Sequence, residues 1–104
     1  MDLNTYQNEA LRTAIYPASQ RETYPLLGLV GEVGEYANKY KKVIRDNADF
    51  NYENKRAELG DILWYLANLA SDAGLLLEDI ATHNVEKLRS RQERGTLGGS
   101  GDTR

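Results

Sequence analysis

The chain has 104 residues, a formal net charge of −3 and no cysteine, which bounds it to one small domain and excludes disulfide scaffolds and thiolate zinc sites. The acidic balance argues against broad electrostatic adhesion to nucleic acid. No apolar run approaches the roughly 20 residues that a membrane-spanning helix needs, and Met1-Asp2-Leu3-Asn4 lacks the basic and apolar regions of a secretory signal, so a cytoplasmic protein with no membrane partner is expected.

With 40% hydrophobic residues, two prolines and an almost continuous helical period, the fold class is expected to be all-α. A first helix is predicted from about Asn4 to Tyr16, on the apolar spacing of Tyr6, Ala10, Leu11, Ala14 and Ile15, with Pro17 as its stop. Gln7, Asn8 and Thr13 are its polar groups within reach of a ligand. After a connection at residues 18–22, Thr23 and Pro25 suggest the start of a second helix running to about Arg45.

Residues 46–51 read as a loop. It is not a calcium loop, because Ala48 and Asn51 stand where a ligand and a glycine are required. A third helix is predicted over about Tyr52 to Ala73, stopped by Gly74, and a fourth over about Glu78 to Gln92. The domain is expected to span residues 1–94, followed by a glycine-rich tail, 95–104, that does not continue the helix.

The second and third helices carry the chemistry. Glu32 and Glu35 stand three apart, as do Glu58 and Asp61, so each pair shares one helix face with its carboxylates roughly 5–6 Å apart. Turning 100° per residue places both pairs at the border of an apolar stripe. Gly28, Gly31, Gly34 and Gly60 flank the acids and each costs about 1 kcal/mol relative to alanine in a helix interior, which makes sense where a backbone approaches closely or a ligand needs room.

Two such pairs can form one all-oxygen site for a hard cation, Mg²⁺ or Mn²⁺, of the kind that bridges substrate phosphates. A di-iron bundle is disfavoured, since it requires Glu-x-x-His on two helices and the one histidine, His83, follows Ile80 by three; His83 is read as a structural or surface side chain. Lys39 and Lys42 beside the first pair, with Lys87 and Arg91 on the fourth helix, are the cations able to hold a polyphosphate. The layout suits hydrolysis of a phosphoanhydride.

These residues resemble the MazG-like nucleoside triphosphate pyrophosphohydrolases, in their short, single-domain, phage-type form. The family pattern is Glu-Glu-x-x-Glu, a spacer, then Glu-x-x-Asp; here it reads Gly31-Glu32-Val33-Gly34-Glu35, 22 residues, then Glu58-Leu59-Gly60-Asp61. Gly31 replaces the leading acid. Ile62-Leu63-Trp64-Tyr65-Leu66, Asn84-Val85-Glu86-Lys87-Leu88 and Arg94-Gly95-Thr96 extend the likeness over nearly the whole chain.

The resemblance implies a four-helix bundle completed by oligomerisation, as a homodimer or dimer of dimers, and Mg²⁺-dependent hydrolysis of a (deoxy)nucleoside triphosphate to the monophosphate and pyrophosphate. Carried over by position, Glu32, Glu35, Glu58 and Asp61 are the metal ligands and Glu35 also activates the water. Asn84 and Lys87 contact sugar or phosphate, Tyr65 lines the pocket, and Trp64 is core or subunit contact. Two alternatives stand beside this: a non-catalytic helical interaction module with a structural cation, and a nucleotide-binding regulator without turnover. The apolar positions Val30, Val33, Ala37 and Ile44 on one helix, with Leu59, Leu63, Leu66 and Ala70 on the other, exceed what one small chain can cover.

Overall fold

Asp2 opens the first helix, its carboxylate accepting from the Thr5 amide at 2.8 Å and so satisfying one of the donors that every helix N-terminus leaves unpaired. The computed structural model describes residues 1–104. It is all-α, with α1 at Leu3–Arg12, α2 at Thr23–Asp46, α3 at Tyr52–Asp72 and α4 at Leu77–Glu93, plus a 3-10 turn at Ala18–Gln20. α2 packs on α3, and α1 packs on both α3 and α4; α2 and α4 do not pack on one another. No helix is long and apolar enough to cross a membrane.

α1 stops well before Pro17, earlier than expected from the sequence. The Thr13 and Ala14 amides turn back onto the Ala10 and Leu11 carbonyls, and the Thr13 hydroxyl donates to the Ala10 carbonyl while accepting from the Trp64 indole at 2.7 Å. A tertiary bond therefore sets the end of this helix.

The start of α2 is also set from outside. Glu22 has φ 63° and ψ −46°, and the Thr23 amide closes onto the Arg21 carbonyl at 2.7 Å, a γ-turn that costs on the order of 1–3 kcal/mol. Asp72, at the end of α3, holds it by accepting from the Glu22 amide at 2.9 Å and the Tyr16 hydroxyl at 2.7 Å. Burial and that bond push the Tyr16 hydroxyl up to about 12.

Asn51 caps α3 by accepting from the Asn54 amide. α4 begins at Leu77 with no side-chain cap from its own preceding residue; buried Gln7 supplies one from α1, its Oε1 accepting from the Leu77 amide at 2.7 Å while its Nε2 donates to Ser71 Oγ and the Leu75 carbonyl. Gln7 is thus a structural clamp, and with Thr13 bonded to Trp64 neither is a free ligand group.

The core is small. Ala10, Ala67 and Leu77 form it, with Tyr6 and Trp64 packed against them, and fully buried Asn68 ties α3 to α1 by donating to the Ala10 carbonyl. A second cluster closes the α2–α3 turn, where buried Phe50 meets Tyr36 and Tyr40 edge-on at 5.0 and 5.1 Å and the Lys55 ammonium stands over the Tyr40 ring at 5.2 Å. This turn fixes the antiparallel register of α2 and α3.

Only 9 of the 104 residues are buried, and the radius of gyration is 16.7 Å, against about 13 Å for a compact domain of this length. Leu27, Val30, Val33 and Ile44 on α2 and Leu59, Leu63 and Leu66 on α3 are exposed. Ala70, expected with them, is buried in the chain.

One glycine explains itself within the chain. A Cβ on Gly28 would stand 2.1 Å from Tyr65 Cε1, whereas Gly31, Gly34 and Gly60 have open space before them. In Gly28→Ala the overpacking, about 1–3 kcal/mol, should outweigh the roughly 1 kcal/mol gained in helix propensity. Thermal unfolding should show a lowered midpoint, and an unchanged or raised one would mean that the ring moves away freely.

Candidate functional site

The α2–α3 register set at the Phe50 turn carries Glu32 of α2 opposite Glu58 and Asp61 of α3. Their carboxylates each offer an oxygen, and these oxygens lie within 4.8 Å of one another. Glu32 and Glu58 are half-buried and Asp61 is exposed. Glu35, one turn along α2, is exposed and lies outside this group of three.

The group is short of positive charge. Burial, followed by the charges of Asp61, Glu35 and Glu58, raises the Glu32 carboxyl above the usual range. Lys39 supplies one cation, its Nζ 2.6 Å from Glu58 Oε1, and that bond, reinforced by Glu35 and Glu32, raises the lysine in turn. Even so, Glu32 Oε2 and Glu58 Oε2 are buried with no hydrogen-bond partner. Buried carboxylate oxygens left bare are costly, and an all-oxygen set of this kind fits a hard divalent cation.

Aromatic side chains wall the acids. The Tyr65 ring lies over Gly28, and its hydroxyl is raised by burial and then by Tyr24, Glu32 and Asp61. Tyr6 of α1, an apolar spacer in the sequence, packs against the core, and its hydroxyl is raised by burial and then by the charge of Asp61. Trp64 packs against the core, and Tyr16 stacks on Tyr24 at 4.9 Å.

The phosphate-binding candidates are dispersed. Lys39 is engaged by Glu58 and Lys42 is exposed on α2. Asn84 is exposed on α4, Lys87 is half-buried and Arg91 is buried. Because α2 and α4 do not pack together, one chain does not gather the two sets of cations around one point. His83 is exposed and outside the acidic group.

The glycine-rich tail folds back on α4. Lys87 Nζ meets Asp102 Oδ1 at 3.1 Å, and the Arg91 guanidinium donates to the Asp102 carbonyl at 2.8 Å and to its carboxylate at 3.4 Å. Nothing in the spacing of residues 95–104 announces this return. The largest cavity, about 460 Å³, lies elsewhere, between Asn4, Gln7, Asn8, Ser71 and the α3–α4 turn.

Comparison with known proteins identifies the family. No solved structure gives a significant match. The "Gene 37 protein" of Mycobacterium phage L5 is 42% identical over 114 aligned positions that take in the whole of both chains. The MazG nucleotide pyrophosphohydrolase domain matches residues 20–96, a span holding Glu32, Glu35, Glu58 and Asp61 and well over half of the chain. With its acids converged on an antiparallel helix pair, the chain belongs to the MazG nucleotide pyrophosphohydrolase domain family.

Proposed function

We propose that the protein is a cytoplasmic enzyme that hydrolyses (deoxy)nucleoside triphosphates to the nucleoside monophosphate and pyrophosphate, with Mg²⁺ held by Glu32, Glu35, Glu58 and Asp61. The observation that carries this reading is the pair of bare, buried carboxylate oxygens on Glu32 and Glu58 within a family whose domain is described as a nucleotide pyrophosphohydrolase. Bound Mg²⁺, for which Mn²⁺ is a substitute of the same hard character, neutralises phosphate charge and acidifies water.

The chain's own groups do the rest. Exposed Glu35, besides its share in the metal, would take the proton from the attacking water. Tyr65 walls the pocket on the acid side. Lys39, bonded to Glu58 in the structure, turns to phosphate once the acids are neutralised, and Lys42, Asn84, Lys87 and Arg91 hold the sugar and polyphosphate. Since α2 and α4 of one chain do not pack together, the α4 groups reach the acids from a second copy, in a homodimer or dimer of dimers.

The exposed stripe of Leu27, Val30, Ala37 and Ile44, with Gly34 unobstructed in its midst, supports that assembly. The chain should sediment as a dimer or tetramer, and its melting temperature should rise with concentration. An active monomer at micromolar concentration would exclude the composite site.

Metal binding can be read from stability alone. Without metal, folded Glu32 keeps its proton to higher pH than the unfolded chain does, so this group's contribution to stability falls as pH rises above the ordinary glutamate value. Glu32→Gln should remove that slope and raise the melting temperature in EDTA. Wild type should gain about 2.7 kcal/mol at a Mg²⁺ concentration 100 times the dissociation constant, and the variant much less; no gain in wild type would refute the metal site.

Turnover tests the reaction. Asp61→Asn and Glu35→Gln should each keep the helical signal and lose more than about tenfold in rate, equivalent to ~1.4 kcal/mol of barrier. In ¹⁸O-labelled water the label should enter the nucleoside monophosphate. Labelled orthophosphate beside a nucleoside diphosphate would instead show attack at the terminal phosphorus.

A further inference from the structure

The tail is an ordered segment that lays one carboxylate on two cations. Residues 95–104 carry three positive-φ glycines, Gly95, Gly99 and Gly101, which let the chain turn tightly where other residues would be strained. Carbonyls of the segment are drawn inwards: Arg104 donates to those of Leu97, Gly98 and Gly101, and Arg94 donates to that of Arg104. The fold of this loop brings one carboxylate, Asp102, onto Lys87 and Arg91.

The partners are mismatched in burial. The Arg91 side chain is only 6% exposed while that of Asp102 is 86% exposed, and Arg91 Nε is buried with no hydrogen-bond partner. A guanidinium carries five donors and pairs best with two oxygens side by side. Here it receives a backbone carbonyl and one long contact to a carboxylate oxygen, which leaves its capacity unfilled. The Asp102 carboxylate, open to solvent and held to Arg91 by one long contact, keeps an alternative partner in water, so it can be exchanged for a stronger anion.

We propose that Lys87 and Arg91 form an anion site for the phosphate end of a polyphosphate ligand, that Asp102 is its resident occupant, and that the glycine-rich segment swings off α4 when polyphosphate arrives. The inference rests on the proposed role of the α4 cations in substrate binding. It adds a self-competing carboxylate that sets the threshold concentration at which the site fills, and it explains why a glycine-rich end is tied down by arginines.

The test uses inorganic tripolyphosphate with the full chain in EDTA, where no turnover occurs. Asp102→Asn keeps the backbone carbonyl and the side-chain shape but removes the charge, and should bind tripolyphosphate about three- to tenfold more tightly than wild type by calorimetry. Lys87→Ala added to it should cancel the gain. In wild type, tripolyphosphate should shift the amide resonances of Gly99 and Gly101 towards random-coil positions. Equal or weaker binding by Asp102→Asn, or glycine resonances unmoved at saturation, would overturn the proposal. Tripolyphosphate bound as expected by a chain that hydrolyses no nucleotide would leave this inference standing while removing the pyrophosphohydrolase reading, and the converse result would separate them the other way.

Discussion

Three carboxylates from facing helices, brought to within 4.8 Å, repel one another, and the rest of the structure is what keeps them there. At such separations like charges in a partly buried setting cost far more than in water. The opposing forces are local and identifiable: the aromatic closure around Phe50 at one end of the α2–α3 pair, the Lys39–Glu58 bridge in its middle and the Tyr65 ring seated on Gly28 beyond it. Asp72 adds a clamp at the far end by holding the strained Glu22 turn. A scaffold that holds its acids together before any cation arrives is pre-organised for binding one, since little ordering remains to be done on binding.

The same helices leave much of their apolar surface uncovered. α2 packs chiefly on α3, so a helix with apolar residues over much of its circumference exposes a second face. Single exposed leucines are ordinary on protein surfaces, but Leu27, Val30 and Ile44 recur along one stripe on 24 residues of helix. The small core and the large radius follow from one cause, a topology in which α1, α3 and α4 share a small centre while the long α2 packs on α3 outside it.

Polar side chains, more than apolar ones, fix how the helices join. Gln7 is buried with every amide group in use and caps α4 from α1. Asn68 and Trp64 bond α3 to the end of α1. Buried amide donors that are paired in this way, both on Gln7 and on Asn68, select one arrangement, because any slip leaves donors unpaired at a cost of about 1–3 kcal/mol each. With so few buried hydrocarbons, this network gives the core its specificity.

The sequence by itself determined the helical class, the four elements and the two acidic pairs, since these depend on residue periodicity and on spacing along one helix, which are local properties. It placed α3 and α4 within a residue or two of their observed bounds, helped by Gly74, a local stop signal whose φ is positive in the structure. It missed the end of α1, where the competing force is the Trp64–Thr13 bond, and it held no sign of the strained Glu22 turn before α2 that Asp72 holds; both contacts join residues some fifty positions apart. Only the tertiary structure decided that Glu32, Glu58 and Asp61 meet while Glu35 stays outside their group, that Lys39 faces Glu58 and that Asp102 returns to Lys87 and Arg91. A helical period says which residues share a face, but the register of one helix against another is set by the packing between them, and no spacing within a single element contains it.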